Sequence, residues 1–588
     1  MATTHPKVDV VTVGAGWTSA ILGAKLCPKG TTMVALEQGT HRWTYPDFAH
    51  DHDSLRYSVR YAMMVDLARE TWTWRPTPDK PALPMRQYGS FNPGEGLGGA
   101  AIHWSAQLWR FLQYDFRHRS HIVERYGPSK LPAGSTIQDW PLDYDVLEPY
   151  YDAFEWDLGA SGIAGNVRGK IRPGGNPFEE SRSRGYPNPP LATNRFADMF
   201  GSACKELGLH PFPQPAGITS RAFTDPFGNL RSGCLYCGFC TRFGCEVDAK
   251  ASPQNTHLPV ALKSGNYDVR LGCKVTRIET GPDGLATGVT YVDGKGQEHF
   301  QPAEVVFASA FTLENTRLLL LSTSKKHPRG IGNDRGHVGR NYTYQIYPQT
   351  VVGLWEGEKL NMYMGNTCTM NIVYDFNADV FDHSDLDFIG GMQLFSEPGE
   401  REPVNSVTDL KTKSGKTWGA DWKRELGRNW DSYAGINTEG ESIPYADQFL
   451  DLDPNYRDRF GNPLLRLTFS WHENEKRMWR YMFARSMEIM KAMNPSRLVA
   501  TTPEIPDYNI GKYQSTHPTG GCIMGLSPGD SVTSSYGQVW DTPNVFVTGA
   551  ALFPQNPGAN PTGTVGALAY RTADAIAARY WKSPNELL

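Results

Sequence analysis

The chain has 588 residues, and its 58 Lys and Arg against 62 Asp and Glu give a formal net charge of −4. This length exceeds what one hydrophobic core usually supports, so we expect two domains. Apolar residues make up 39% and charged residues 20%, which is typical of a folded globular protein and excludes a disordered one. The small net charge gives no sign of a nucleic-acid surface, so no nucleic-acid partner is expected.

The sequence begins with a pattern for dinucleotide binding. Residues 8–13 (VDVVTV) predict a buried strand, and residues 17–27 predict a helix. Gly14 and Gly16 lie between them, where glycine lets a pyrophosphate approach a helix N-terminus. A second predicted strand ends at Glu37, where a carboxylate can bind ribose hydroxyls. Ser19 replaces the third glycine of the usual fingerprint, and a tight turn in another α/β protein remains the alternative.

A second glycine cluster follows. Gly96, Gly98 and Gly99 precede His103 and Trp104 in the segment GEGLGGAAIHW. Two glycine-rich loops in the first 105 residues suggest one long dinucleotide held at two places, although this second loop alone could be a surface turn.

This loop resembles a FAD-contacting segment of the glucose–methanol–choline oxidoreductase family. Residues 138–162, 305–322 and 338–341 are also similar to that family. The resemblance implies an α/β (α+β overall) fold, with a Rossmann-like FAD-binding domain assembled from discontinuous segments and an antiparallel-sheet substrate domain. The FAD-binding domain is expected to comprise residues 1–160, 225–345 and 500–588, with a cysteine loop at 233–246. The substrate domain is expected to comprise 161–224 and 346–499.

The resemblance also implies which residues contact FAD. They are Gly14, Gly16, Trp17, Thr18, Glu37, Gly96, Gly98, Gly99, His103, Trp104, Val275, Ala550, Asn560 and Thr562.

Two C-terminal segments carry the candidate catalytic residues, STHPTGG at 515–521 and NPTGT at 560–564. Alcohol oxidation needs removal of a hydroxyl proton and of a hydride. An imidazole suits the first step, and a flavin takes the hydride. The resemblance assigns His517 as the base and Asn560 as its partner, while His103 is given no proton-transfer role. An ordinary core or surface histidine is the alternative for His517, since the chain has 15.

Four of the nine cysteines fall within twelve residues, and they indicate a metal site. Cys234, Cys237, Cys240 and Cys245 have the spacing C-x2-C-x2-C-x4-C. Such spacing favours an iron–sulfur cluster, and structural zinc is the competitor.

Within the family, the chain is similar to the flavoprotein subunits of bacterial membrane-bound dehydrogenases of gluconate, fructose, sorbitol and glucose. That similarity implies a [3Fe-4S] cluster, which needs only three of the four thiolates. It also implies a multihaem cytochrome c subunit and a small subunit with a twin-arginine signal. The location implied is the periplasmic side of the inner membrane, with the membrane reached only through partners. No signal peptide is expected in this chain itself, because a predicted strand begins almost at once.

The same similarity implies oxidation of D-gluconate to 2-keto-D-gluconate. It is strongest at residues 237–262 and in a predicted hairpin with its turn at 458–462. A polyol, another sugar or a ketogluconate remains open as substrate. Further alternatives are an alcohol oxidase with structural zinc and a flavin protein that only transfers electrons or senses redox state. A gluconate site needs Arg or Lys for the carboxylate, but the sequence does not single one out.

Overall fold

The structure is a computed structural model that describes residues 2–48, 53–347, 349–401, 410, 412 and 414–588. Its helices are α1 Trp17–Leu26, α2 Gln113–Phe116, α3 His118–Tyr126, α4 Tyr144–Asp157, α5 Arg195–Glu206, α6 His257–Lys263, α7 Thr312–Leu321, α8 Gly419–Asn429, α9 Glu473–Ala492 and α10 Thr562–Ala575.

The strands in chain order are β1 Thr3–Thr4, β2 Val8–Val13, β3 Met33–Glu37, β4 Thr73–Arg75, β5 Leu83–Pro84, β6 Asn166–Val167, β7 Lys170–Ile171, β8 Phe212–Pro213, β9 Phe223–Thr224, β10 Leu230–Arg231, β11 Tyr267–Leu271, β12 Lys274–Thr280, β13 Ala286–Val292, β14 Glu298–Ala308, β15 Thr343–Tyr344, β16 Gln349–Leu354, β17 Asn371–Val373, β18 Met392–Ser396, β19 Tyr433–Gly440, β20 Phe449–Arg457, β21 Pro463–Thr468, β22 Arg497–Thr501, β23 Pro518–Thr519 and β24 Val545–Val547.

The largest sheet carries the nucleotide-binding motif. Its main order is β11-β3-β2-β14-β13-β12, and β1 and β24 also pair with the long strand β14. The C-terminal half of β14 lies parallel to β2 and β24, with Val306 opposite Val11 and Val545. Its N-terminal half pairs antiparallel with β13. Because the parallel strands end at one edge, the loops after β2, β14 and β24 meet there, which is where ligands bind in such sheets.

A second sheet is antiparallel throughout, with the order β22-β16-β19-β18-β17-β8. Helix α9 packs on β16 and β19. It buries Met478, Trp479, Met482 and Ile489 at the spacing expected for one helix face. One continuous apolar core joins this sheet to the large one, since Val11 of β2 and Phe395 of β18 belong to the same buried cluster.

A third sheet has the order β20-β21-β4-β5, and Asp458 and Asn462 of its β20–β21 turn line the nucleotide cleft. The expected turn joins β20 to β21, where the N–H of Asp458 donates to the carbonyl of Asn462 at 2.8 Å. The Asp458 carboxylate accepts a hydrogen bond of 2.6 Å from Arg317 of α7, which fixes the turn to the large sheet.

The predicted fold class is confirmed: one sheet is assembled from residues 3–37, 267–308 and 545–547, and a separate antiparallel sheet lies beside it. The residue boundaries proposed for the two domains stay predictions. Among the described residues, no helix combines the length and apolar character needed to cross a bilayer.

Candidate active site

The first glycine turn opens one end of a long cleft of about 320 Å³. Gly14 follows β2 with φ +97°, and a Cβ atom there would lie 2.9 Å from the carbonyl oxygen of Ser309. Gly16 precedes α1, and a Cβ atom added to it would have nothing nearer than 4.0 Å. No acidic side chain lies in the first turn of α1, so its N–H groups are available to an anion.

Glu37 joins the two glycine loops. Its carboxylate accepts hydrogen bonds from the N–H groups of Ala15 at 3.1 Å, Gly39 at 2.9 Å and Gly96 at 3.2 Å. Burial raises the pKa of Glu37, and these three N–H groups lower it again. The Glu37 side chain therefore faces the cleft and also fixes the distance between the two glycine loops.

The second glycine loop forms the other wall of the cleft. Gly96, Gly98 and Gly99 all have positive φ, which glycine adopts without strain. The N–H of Gly98 donates to the Ala15 carbonyl at 2.9 Å. The two loops thus lie against each other across the start of α1.

Most of the predicted FAD contacts line this one cleft: Gly14, Gly16, Trp17, Thr18, Glu37, Gly98, Gly99, Val275, Ala550 and Thr562. Gly96 lies behind it and contacts Glu37. His103 and Trp104 lie behind the second loop, and burial, with the charge of Lys250 next, lowers the pKa of His103 to about 3.

The candidate catalytic pair is close. Nε2 of His517 lies 3.3 Å from Nδ2 of Asn560, and His517 lines the cleft. Asn560 is 3% exposed, and its Oδ1 has no hydrogen-bond partner among the described residues. An amide oxygen that is buried and unpaired beside an imidazole is positioned to accept a substrate hydroxyl.

Two residues that the sequence did not reveal lie behind His517. Its Nδ1 atom is within hydrogen-bonding distance of Oε1 of Gln345 and lies 3.1 Å from Oε1 of Glu439. Both side chains are fully buried. With the ring proton held at Nδ1 by the Gln345 oxygen, Nε2 keeps its lone pair toward Asn560 and the cleft, and the Glu439 carboxyl lies close behind the ring.

The four clustered cysteines line one small cavity. Among the described residues, no three of their sulfur atoms lie within 4.8 Å of one another. Thiolates around one tetrahedral zinc at Zn–S of about 2.3 Å would lie only about 3.8 Å apart. Thiolates on a polynuclear cluster bind separate iron atoms and lie further apart, so the spacing is compatible with a cluster.

The surroundings of the cysteine loop suit negative charge. The N–H groups of Tyr236 and Lys250 point to the sulfurs of Cys234 and Cys245 at 3.4 Å and 3.5 Å. Lys250 is 2% exposed, and its ammonium group donates to the carbonyls of Trp104, Cys240 and Phe243. A buried cation of this kind compensates thiolate charge. Cys368, which the sequence left unassigned, is buried in the same apolar cluster.

The cysteine loop is attached directly to the second glycine loop. The N–H of Arg242 donates to the His103 carbonyl at 2.8 Å, and Lys250 reaches Trp104 at 2.9 Å. The Trp104 indole in turn donates to the Ala251 carbonyl at 2.8 Å. The two sites are therefore neighbours, joined through residues 103 and 104.

The cleft fits FAD. Glycine loops permit close backbone approach, the α1 N-terminus suits a pyrophosphate, and a carboxylate ends β3 where a ribose would lie. Apart from Asn560 Oδ1, the buried indole N–H of Trp17 also lacks a partner among the described residues. These features define a flavin-dependent oxidoreductase that acts on alcohols.

The comparison with known proteins agrees with this class. Models of the GMC oxidoreductase family match residues 191–347 and 444–569. The chain is 38% identical to a gluconate 2-dehydrogenase flavoprotein from Pantoea cypripedii, over 99% of this chain and 95% of that protein. The chain therefore belongs to the GMC oxidoreductase family, and it is an FAD-dependent enzyme that oxidises CH–OH groups.

More distant relatives share the whole length. A 2-methyl-1,2-propanediol dehydrogenase from Mycolicibacterium austroafricanum is 27% identical, over 99% of this chain and 97% of that protein. A fructose dehydrogenase large subunit from Gluconobacter japonicus is 26% identical, over 97% and 98%. The crystal structure of pyridoxine 4-oxidase from Mesorbium loti superposes with a TM-score of 0.60 at 15% identity, covering 97% of this chain and 99% of that one, and it supports the fold alone.

Proposed function

We propose that this enzyme oxidises D-gluconate at C2 to 2-keto-D-gluconate and transfers the electrons through an iron–sulfur cluster to a cytochrome c subunit. The observation that carries the reaction class is His517, which lines the cleft, with Asn560 beside its Nε2 and Glu439 behind its Nδ1. The observation that favours a sugar acid is the similarity over the full chain to a gluconate 2-dehydrogenase flavoprotein.

His517 would take the hydroxyl proton at Nε2, while its Nδ1–H stays bound to the Gln345 oxygen. The positive charge that then develops on the ring faces the buried Glu439 carboxylate, which stabilises it. Asn560 would hold the substrate oxygen and orient the C2–H bond. Bound FAD supplies the hydride acceptor.

An anionic substrate needs a cation, and our candidate is Arg242, which contacts the segment that carries His517. Its Nη2 lies 3.2 Å from Oε1 of Gln514, three residues before His517. Its Nε has no hydrogen-bond partner among the described residues, so donor capacity remains for a carboxylate. Arg242→Gln should raise KM for gluconate by roughly tenfold and leave KM for a neutral polyol near its original value.

Cys234, Cys237, Cys240 and Cys245 would hold the cluster, which supplies a one-electron acceptor beside the flavin site. Burial raises the pKa of the Cys240 thiol and the charge of Lys250 lowers it, so metal would have to displace thiol protons on binding. We prefer iron–sulfur to zinc because the C-x2-C-x2-C-x4-C spacing resembles the cysteine runs of ferredoxins.

Exposed apolar side chains cover this loop and would contact the electron-accepting subunit. Leu235 lies between two of the cysteines and is 60% exposed, and Tyr363 and Met364 nearby are 43% and 46% exposed. The N–H of Gly238 donates to the Gly365 carbonyl at 2.9 Å, which joins the two segments. A partner on this patch would lie within short electron-transfer range of the cluster. Under this proposal a small subunit carries the chain to the periplasm and the cytochrome subunit attaches it to the membrane.

A neutral polyol is the second candidate substrate, because a propanediol dehydrogenase and a fructose dehydrogenase large subunit also align over the full length. Anaerobic flavin bleaching with gluconate, 2-ketogluconate, sorbitol, fructose and glucose separates the candidates. We expect gluconate to bleach the flavin fastest. Bleaching only by neutral polyols would overturn the substrate, and full bleaching by His517→Ala would overturn the catalytic assignment.

A further inference from the structure

A group of ligand-type side chains lies outside the active site, where the loop after α7 meets the loop before β24. Each of His327, Asp334 and Asp541 offers one ligand atom, and these atoms all lie within 4.8 Å of one another. None of the three lines the cleft or the cysteine cavity. The group is therefore separate from both cofactor sites.

The His327 ring is oriented for metal binding. It is 3% exposed, and its Nε2 lies 2.9 Å from the Gly284 carbonyl oxygen. A carbonyl only accepts, so Nε2 carries the proton and Nδ1 has a lone pair. That Nδ1 has no hydrogen-bond partner among the described residues, which is costly for a buried polar atom. A carbonyl that accepts from the other ring nitrogen is also the usual arrangement for a metal-bound histidine.

The two carboxylates complete a set of three ligands on the same side. Oδ2 of Asp541 lies 3.9 Å from Nδ1 of His327. The other oxygen of Asp541 accepts from the N–H of Gly332 at 3.0 Å and from the Thr542 hydroxyl at 2.9 Å, which leaves Oδ2 directed at the ring. Asp334 is exposed and brings a second negative charge, which a cation would neutralise.

We propose that His327, Asp334 and Asp541 bind a divalent transition-metal ion, of which Zn²⁺ and Mn²⁺ are the candidates. One imidazole nitrogen and two carboxylate oxygens suit these ions, whereas Mg²⁺ and Ca²⁺ prefer oxygen ligands alone. Water would complete the coordination on the solvent side, beside Asp334. The ion would tie together the turn between β12 and β13, the loop after α7 and the loop before β24, so its role is structural.

The test uses Mn²⁺, because this ion prefers oxygen and nitrogen to the thiolates of the cysteine loop. The chelator-treated, flavin-loaded enzyme is titrated with Mn²⁺ while the EPR signal of free Mn²⁺ is followed. We expect one ion to bind tightly to the wild type. Asp334→Asn, a surface change that should not disturb folding, and His327→Gln should each weaken this binding by roughly tenfold or more. Asp507→Asn, at another exposed aspartate, is the matched control and should bind like the wild type.

Thermal unfolding gives an independent measurement. Mn²⁺ should raise the Tm of the wild type and of Asp507→Asn, but not that of Asp334→Asn. Dye reduction by substrate should be unchanged in Asp334→Asn. Equal Mn²⁺ affinity in the wild type and Asp334→Asn, or no binding by the wild type, would leave only a contact between His327 and Asp541 and overturn the proposal.

Discussion

The Nδ1 atom of His517 lies 3.1 Å from a carboxylate oxygen of Glu439, and Glu439 is fully buried. Burial raises the pKa of the Glu439 carboxyl, while hydrogen bonding and charge from His517 lower it. The pair brings together a strand of the antiparallel sheet and the segment before β23. A carboxylate in this position stabilises the protonated ring by its charge.

Replacing Glu439 by Gln should therefore slow flavin reduction by roughly 10- to 100-fold. The neutral amide keeps the shape but cannot stabilise the imidazolium. Stopped-flow flavin reduction by substrate measures the rate. Glu441→Gln, at another buried glutamate, is the control and should keep the wild-type rate. An unchanged rate in flavin-loaded Glu439→Gln would remove the role of the carboxylate.

The cysteine loop gives a second prediction. Cys240→Ser should abolish bound iron while FAD and flavin reduction by substrate remain, because the cleft is lined by other residues. Iron analysis and EPR of the oxidised enzyme measure the loss. Cys204→Ser, at a buried cysteine in α5, should keep its iron. Zinc in place of iron in the wild type would favour the structural-zinc alternative.

The apolar patch over that loop gives a third prediction. Leu235→Asp should slow reduction of a c-type cytochrome, because the charge would have to be buried in the interface. Reduction of a small soluble dye should stay the same. Leu526→Asp changes a leucine that is 79% exposed elsewhere and should affect neither rate. Parallel loss of both rates in Leu235→Asp would indicate damage to the cysteine loop instead of a docking surface.

Short-range patterns in the sequence predicted much of this fold. The strand at 8–13, the helix after Gly16 and the strand ending at Glu37 are found where expected, because hydrophobic periodicity and glycine placement act over a few residues. The turn at 458–462 is also correct.

The two residues that contact His517 from behind, Gln345 and Glu439, could not be predicted in the same way. Gln345 lies 172 residues before His517, and Glu439 lies in a strand with no motif around it. They meet His517 only because two sheets pack together. His327, Asp334 and Asp541 come together for the same reason, through loops at the ends of α7 and β24. Tertiary contacts between single polar residues leave little signal in one sequence.

Glu37 is expected to control FAD retention. Glu37→Gln leaves one oxygen to serve three N–H groups and turns an NH2 group toward at least one of them, so the two glycine loops should separate slightly. We expect the Kd for FAD to rise by roughly tenfold. Fluorescence of released flavin on dilution measures it. Glu298→Gln, at an exposed position, should retain FAD, and equal retention by Glu37→Gln would contradict the bridging role.

Glu475 should make stability depend on pH. It is 2% exposed and accepts from the N–H of Ile443 at 3.1 Å. Burial raises the pKa of its carboxyl to about 7 from 4.5, although backbone hydrogen bonds act in the opposite direction. The folded protein therefore keeps a proton that the unfolded chain releases. This contribution is present below the unfolded pKa and is lost as pH rises through the window from 4.5 to about 7.

Glu475→Gln cannot ionise, so it should gain stability relative to the wild type across that window, by up to about 3 kcal/mol. Thermal unfolding of both proteins at pH values below and above the window measures the change in their Tm difference. Glu473→Gln, which alters an exposed glutamate on the same helix, should not produce such a change. The Tm difference between Glu475→Gln and the wild type could instead be constant across the window. That result would show that Glu475 is already ionised in the folded protein at low pH. Such ionisation would require a compensating positive group beside it.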